Sequence, residues 1–269
     1  MLGYAAALAE HRATQVADEQ TFSALWSDQL AHLPTLAEQA VRGGLLADRM
    51  AWVFLAGYQS ALRHTFSELP THGLAAFAVS EDRKGQPPLP GVTAVETYGT
   101  VQVSGYKTWV ACSATLAHLV IKSDRGPQAA YYCIARETAG LTLTNKYGGF
   151  LPEMSQGVAQ LENTPVPNPL DAQQVGYFGI RETLYIYMAF CAWVGKHASS
   201  AADCQELITR LGLLVQTPPA DESALAELRA VDDGVQALLA SVPSTATANW
   251  QQDQRLISMY SPGLQKRQV

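Results

Sequence analysis

The rhythm of apolar and polar positions changes twice along the chain, at about residue 70 and again at about residue 175. From Gly3 to about Glu68 the spacing is helical: Leu25, Gln29, Leu30, Leu33 and Leu36 recur every three to four residues among polar positions. Gly43-Gly44 predicts a break. Asp48 to Phe66 then reads as a longer helix, with Trp52, Leu55, Ala56, Tyr58 and Leu62 forming a broad apolar face that needs a partner, and Leu69-Pro70 ends it.

From Thr71 to Leu170 the texture is one of short β-rich runs: Ala75 to Val79, Val101 to Val103, Lys107 to Ala111, Leu119 to Lys122, Ala130 to Ile134, Leu141 to Leu143 and Val158 to Leu161. Gly, Pro, Asn and Asp separate them, which predicts an antiparallel barrel or sandwich. Ser104-Gly105 reads as a two-residue hairpin tip. The stretch Arg83 to Pro90 is a loop, because its prolines remove backbone donors.

Helices return from Val175: Gly179 to Ala198, Ala201 to Val215, Asp221 to Val242, and a last one near Trp250 to Tyr260. Asp221-Glu222 puts acidic charge in a first turn, where the macrodipole favours it. The expected organisation is therefore α+β: an N-terminal helical region over 1–70, a middle β-domain over 71–174 and a C-terminal helical domain over 175–269.

Four segments in order resemble the acyl-CoA dehydrogenase family. Ala76-Phe77-Ala78-Val79-Ser80-Glu81 and Ser104-Gly105-Tyr106-Lys107-Thr108-Trp109-Val110 resemble two signatures of its middle domain. Ile134 to Leu141 resembles the segment ending in Pro-Gly-Leu, and Leu161 to Pro167 the strand leading to Val-Pro. The resemblance covers 74–170 most fully and 45–70 and 250–268 less so. It implies the helical, β, helical domain order and bound FAD, contacted by Phe77, Val79, Ser80, Trp109 and Val110. Ala111 stands where the family usually has a hydroxyl. Taken without the resemblance, Trp109 reads simply as a strand-core aromatic.

The implied activity is FAD-dependent α,β-oxidation of an acyl-CoA thioester, as in fatty acid metabolism, and it needs a carboxylate base. The family commonly carries that base near the C-terminus, where this chain has Ser261-Pro262. Other members place it early in the first C-terminal helix, and Glu182 lies near that position. An acid in a helix's first turn is also favoured whatever the function. The chain is shorter than typical members, the Arg-x-x-Phe-Gly segment is not visible after Ala198, and Arg83-Lys84-Gly85-Gln86 replaces the Gly-Ser-Asp stretch associated with CoA. Two rival readings follow: a catalytically silent subunit completing a hetero-oligomer, and a binding protein that keeps the fold without flavin.

Composition narrows the class further. The formal charge is -6, from 18 Lys and Arg against 24 Asp and Glu, with no basic cluster to hold a nucleic acid. Cys112, Cys133, Cys191 and Cys204 are widely spaced and sit mostly within apolar runs, as reduced thiols in a cytoplasmic protein do. The six histidines show no metal spacing, and neither a Gly-x-Ser-x-Gly elbow nor a phosphate loop occurs. No secretory signal precedes Glu10, and the apolar run Leu184 to Gly195 falls short of the ~20 residues that span a bilayer. The helix Gly179 to Ala198, apolar almost all round, predicts a homo- or hetero-oligomer that covers it.

Overall fold

The computed structural model describes residues 15–124, 128–196, 201–216 and 221–268. The start of the first expected helix, and the stretch in which no secretory signal is expected, fall outside these residues. The chain divides into two compact units. One is helical and comprises Met1–Ala17, Gln29–Thr65 and Tyr177–Val269; the other holds the sheets and comprises Asp18–Asp28 and Phe66–Gly176.

The helical unit is built around α4 (Phe178–Gly195), in which every residue from Thr183 to Gly195 is buried. Helices α2 (Leu36–Leu46), α3 (Met50–Thr65) and α5 (Ala201–Leu214) pack against it. Its apolar circumference is thus covered by the chain's own helices and supplies no argument for an oligomer. Helix α2 begins on a capping box: Thr35 Oγ1 accepts from the Glu38 N–H at 3.2 Å, and the Glu38 carboxylate accepts from the Thr35 N–H at 3.2 Å. Helix α6 (Glu222–Ser241) begins on Asp221, whose carboxylate accepts from the Ala224 N–H at 2.8 Å.

Gly43 and Gly44 do not break the helix as expected but lie inside α2. A Cβ on Gly44 would sit 2.0 Å from the Ala189 carbonyl oxygen of α4, and one on Gly43 would sit 2.4 Å from Ala56 Cβ of α3. On α3, a Cβ on Gly57 would meet Ile186 Cα at 2.5 Å. These glycines allow three helix backbones to approach closely, and packing outweighs the roughly 1 kcal/mol that each glycine costs in helix propensity.

The chain ends in short helices, α7 (Trp250–Asp253), α8 (Arg255–Ser258) and α9 (Ser261–Gln265). The last of them is fastened by Asp232 of α6, which is fully buried. Its carboxylate accepts from the Tyr187 hydroxyl at 2.8 Å, the Ser261 hydroxyl at 2.6 Å, and the Gln265 and Gln236 amides at 2.7 and 3.3 Å. A buried charge of this kind is tolerable because its lone pairs are met.

The second unit contains two sheets. Strands β1 (Leu74–Ala78), β4 (Leu116–Ser123) and β5 (Ala130–Ala135) make one, in the order β1-β4-β5. Strands β2 (Thr93–Thr97), β3 (Thr100–Ala111), β7 (Gln156–Pro165) and β6 (Leu141–Thr144) make the other, in the order β2-β3-β7-β6. The four-stranded sheet is antiparallel throughout, whereas β1 runs parallel to β4. All five residues of β1 are buried, so no alternation in its sequence signals a direction.

The hairpin tip is at Tyr98-Gly99 and not at Ser104-Gly105. Tyr98 (φ 51°) and Gly99 (φ 76°) both take left-handed backbone between β2 and β3, as a tight hairpin turn requires. Gly105 lies inside β3 at a register shift, with φ 132°, and a Cβ there would sit 2.2 Å from the Gly91 carbonyl oxygen. Close backbone approach explains this glycine.

Helix α1 (Glu19–Leu25) belongs to the β unit, although residues 1–70 read as a helical region. The buried Glu19 carboxylate accepts from the Ser155 N–H at 2.5 Å, the Ser155 hydroxyl at 2.9 Å and the Thr115 hydroxyl at 2.7 Å. Among the described residues, no helix is long and apolar enough to cross a membrane.

Candidate functional site

Two neighbourhoods hold the residues singled out in the sequence, one in each unit. In the β unit, positions 103, 105 and 107 of β3 are buried, and simple alternation would send Trp109 inward after them. A bulge intervenes: Thr108 pairs with Val158 and Val110 with Gly157, and Trp109 is passed over. Trp109 takes φ 58°, costly for a bulky residue, and its indole turns outward with 42 % of its surface exposed. The indole N–H donates to Gln156 Oε1 at 2.9 Å.

Beside it lies the end of β1. The Ser80 carbonyl accepts from the Thr108 N–H at 2.9 Å, which brings Val79 and Ser80, both exposed, alongside Trp109. Three of the five residues that the resemblance implies at the flavin are therefore accessible. The other two are buried. Phe77 packs edge-on against Phe66, ring centroids 5.1 Å apart, and Val110 has no exposed surface. Ala111 is buried as well, and the hydroxyl near the surface is that of Thr108, which borders clefts on both sides of it.

One cleft, of about 530 Å3, is lined by Ser80, Glu81, Asp82, Arg83, Lys84 and Thr108. Its wall is pinned by two carboxylates. Glu81 accepts from the Lys107 ammonium at 2.8 Å, with Lys107 enclosed in the unit. Asp82 accepts from the backbone N–H groups of Lys84, Gly85 and Leu89, each at 3.0 Å, and these bonds hold its carboxyl below the usual range. The second cleft, of about 430 Å3, lies on the other side of Thr108 and includes Trp109, Lys146, Tyr147, Gly148, Gly149 and Gln156.

Glu182 belongs to the helical unit, in the second turn of α4, with Phe178 and Ile186 one turn away on either side. The Phe178 ring stands edge-on to Tyr58, centroids 6.0 Å apart. Burial pushes the Glu182 carboxyl up to about 7, so it exchanges its proton near neutrality. Burial also raises the Tyr260 hydroxyl well above its ordinary range, and the Glu182 charge raises it further. Tyr260, which feels the Glu182 charge, immediately precedes Ser261, the other position that the resemblance implies for a base. Ser261 itself is committed to Asp232. Deeper along α4, Tyr185 meets His64 Nδ1 at 3.0 Å, and burial with the Arg181 charge lowers His64 to about 4.

Sequence reasoning missed Thr108, Gln156 and the Lys107–Glu81 pair. Gln156 and Trp109 are 47 residues apart and meet only through the β3–β7 register. Lys107 reads as an outward lysine until the burial of its neighbours fixes the strand phase.

No protein-family model matches the sequence, and no curated protein does. Solved structures do. A crystal structure of an FAD-dependent dehydrogenase superposes with a TM-score of 0.67 at 13% identity, covering 98% of this chain and 94% of that one. The prolyl acyl carrier protein oxidase AnaB gives 0.63 at 13% identity, covering 92% and 88%. Butyryl-CoA dehydrogenase from Megasphaera elsdenii gives 0.60 at 12% identity, covering 91% and 87%. At these identities the likeness speaks for architecture, and the chain has the acyl-CoA dehydrogenase fold.

Proposed function

We propose that the chain is an acyl-CoA dehydrogenase-like flavoprotein that oxidises an acyl thioester, acyl-CoA in the first instance, between its α and β carbons. The observation that carries this reading is the outward, bulge-strained Trp109 beside exposed Val79 and Ser80. Backbone strain at an accessible aromatic persists only where the surrounding structure imposes it, and such outliers gather at working sites. Exposed aromatic and aliphatic side chains, Trp109 and Val79, with the Ser80 and Thr108 hydroxyls near them as donors, support the flavin reading. FAD supplies, when bound, the two-electron oxidant for desaturation.

Glu182 is the group assigned to take the α-proton as its carboxylate. A carboxyl with a pKa near 7 is ionised in half the molecules at neutral pH and is a stronger base than an ordinary glutamate. Ser261 and Pro262 have no such capacity. Purified protein carrying flavin absorbance that bleaches on addition of acyl-CoA would support the reading. Protein that neither retains nor takes up FAD would overturn it.

The silent-subunit reading draws on one observation: the Ser261 hydroxyl, where the family commonly has its base, is consumed by the Asp232 network. Flavin that binds but is bleached by no thioester would favour it, as would dependence on a co-expressed relative for stability.

A further inference from the structure

We propose that Gln156 is a positioning residue that fixes the Trp109 indole as part of the flavin platform, a role that rests on the flavin reading above. The β ladder does not aim Trp109, because the register runs from Thr108↔Val158 to Val110↔Gly157 and passes over it. A side chain at such a bulge takes its direction from whatever holds it locally. Gln156 provides that hold through both ends of one amide. Its Oε1 accepts from the indole N–H at 2.9 Å, and its Nε2 donates to the Phe150 carbonyl.

The arrangement is directional. Turning the amide over would set its NH2 group against the indole N–H and its oxygen against the Phe150 carbonyl, so one orientation satisfies all four groups. The anchor is itself anchored: the Gln156 N–H donates to the Lys146 carbonyl at 2.8 Å, and Gln156 stands directly opposite Ala111 in the register. Gly157 next to it is hemmed in, with a Cβ there 2.5 Å from Ser113 Oγ and 2.7 Å from the Thr144 carbonyl oxygen. Gln156 therefore ties the indole to the 146–150 loop, and both border the same cleft.

Tryptophan emission reads this directly. Of the five tryptophans, Trp26, Trp52, Trp193 and Trp250 are buried and Trp109 is exposed, so acrylamide quenching of the flavin-free protein reports mainly on Trp109. The test compares the parent with Gln156→Leu, which keeps the volume and removes both polar ends, with Gln156→Ala, with Trp109→Phe, and with the Gln156→Leu/Trp109→Phe double variant. Circular dichroism and thermal melting identify a variant that has failed to fold, and either Gln156 variant suffices. The expected results are stronger quenching when Gln156 is replaced and FAD affinity weakened about 2- to 10-fold, the range of one net hydrogen bond. In the Trp109→Phe background, replacing Gln156 should have no further effect on FAD, whereas a purely structural role would weaken it additively. Additive losses, or unchanged quenching, would overturn the assignment. A parent that binds no FAD would overturn the flavin reading and with it this role, and quenching would then show only whether Gln156 holds the indole.

Discussion

Ser261 donates its hydroxyl hydrogen bond to Asp232 at 2.6 Å, so the residue that the resemblance sets at the usual base position is a fastening for the C-terminal segment. Placing a carboxylate there should not create a base. Ser261→Glu would bring a second negative group against a buried one and strip a donor from Asp232, which should lower stability by about 1–3 kcal/mol. Denaturant melts measure the loss, and an unchanged midpoint would contradict the fastening role. Thioester-dependent bleaching should not rise in this variant.

Glu182→Gln should abolish bleaching by acyl-CoA while leaving FAD bound, because it removes the proton acceptor and keeps the shape. The same variant has a signature in stability. The folded pKa near 7 lies above the ordinary 4.5, so between those values the native state keeps a proton that the unfolded chain has released. The parent should therefore lose stability as pH rises through that window, at up to about 1.4 kcal/mol per pH unit. Glu182→Gln should lack this loss and be the more stable protein above pH 7. Parallel pH profiles for the two would show that Glu182 titrates normally.

His64 gives the opposite slope. Its folded pKa near 4 lies below the ordinary 6.5, so on acidification the unfolded chain takes a proton that the native state refuses. Stability present above pH 6.5 should drain away towards pH 4, and His64→Asn should flatten that limb of the pH–stability curve. The imidazole shares a hydrogen bond with the Tyr185 hydroxyl at 3.0 Å, and asparagine keeps both a donor and an acceptor for that partner.

Gly44→Ala tests the helix packing. A methyl 2.0 Å from a backbone oxygen of α4 cannot be absorbed by a rotamer change, so the helices must separate. Overpacking of this kind costs about 1–3 kcal/mol or more, against a gain of at most about 1 kcal/mol in helix propensity. A variant with a raised melting temperature would refute the close approach.

The succession of helical and β segments was legible because each has its own period, 3.6 or 2, and because turn residues mark the joints. What escaped was whatever depends on a partner distant in sequence. Gly43-Gly44 looks like a helix break when only local propensity is weighed, and becomes a packing device once Ala189 and Ala56 are in place. Ser104-Gly105 carries a good turn signature, yet a tip at Tyr98-Gly99 aligns β2 with a longer β3, and Gly105 answers to the Gly91 carbonyl. At the candidate site, Val79, Ser80 and Trp109 are singled out by resemblance to a motif. The exposure of Trp109 beside a buried Val110 depends on a bulge that shifts the phase of β3 by one residue.

Glu19 draws an early helix into the β unit, and this changes how the protein can be made. Neither unit is a continuous piece of chain: the β unit needs residues 18–28 together with 66–176, and the helical unit needs its early segments together with everything from Tyr177 onward. As the chain leaves the ribosome, α2 and α3 emerge first but lack α4, and they must wait through more than a hundred residues of sheet. The β unit, whose helix α1 has already emerged, is the first that can close. Synthesis therefore favours sheet before helix, against the usual order in which local helical contacts form first, and leaves α2 and α3 exposed to misassociation during the delay. A fragment cut at 66–176 would lack Glu19 and leave the Ser155 N–H and the Ser155 and Thr115 hydroxyls without that carboxylate.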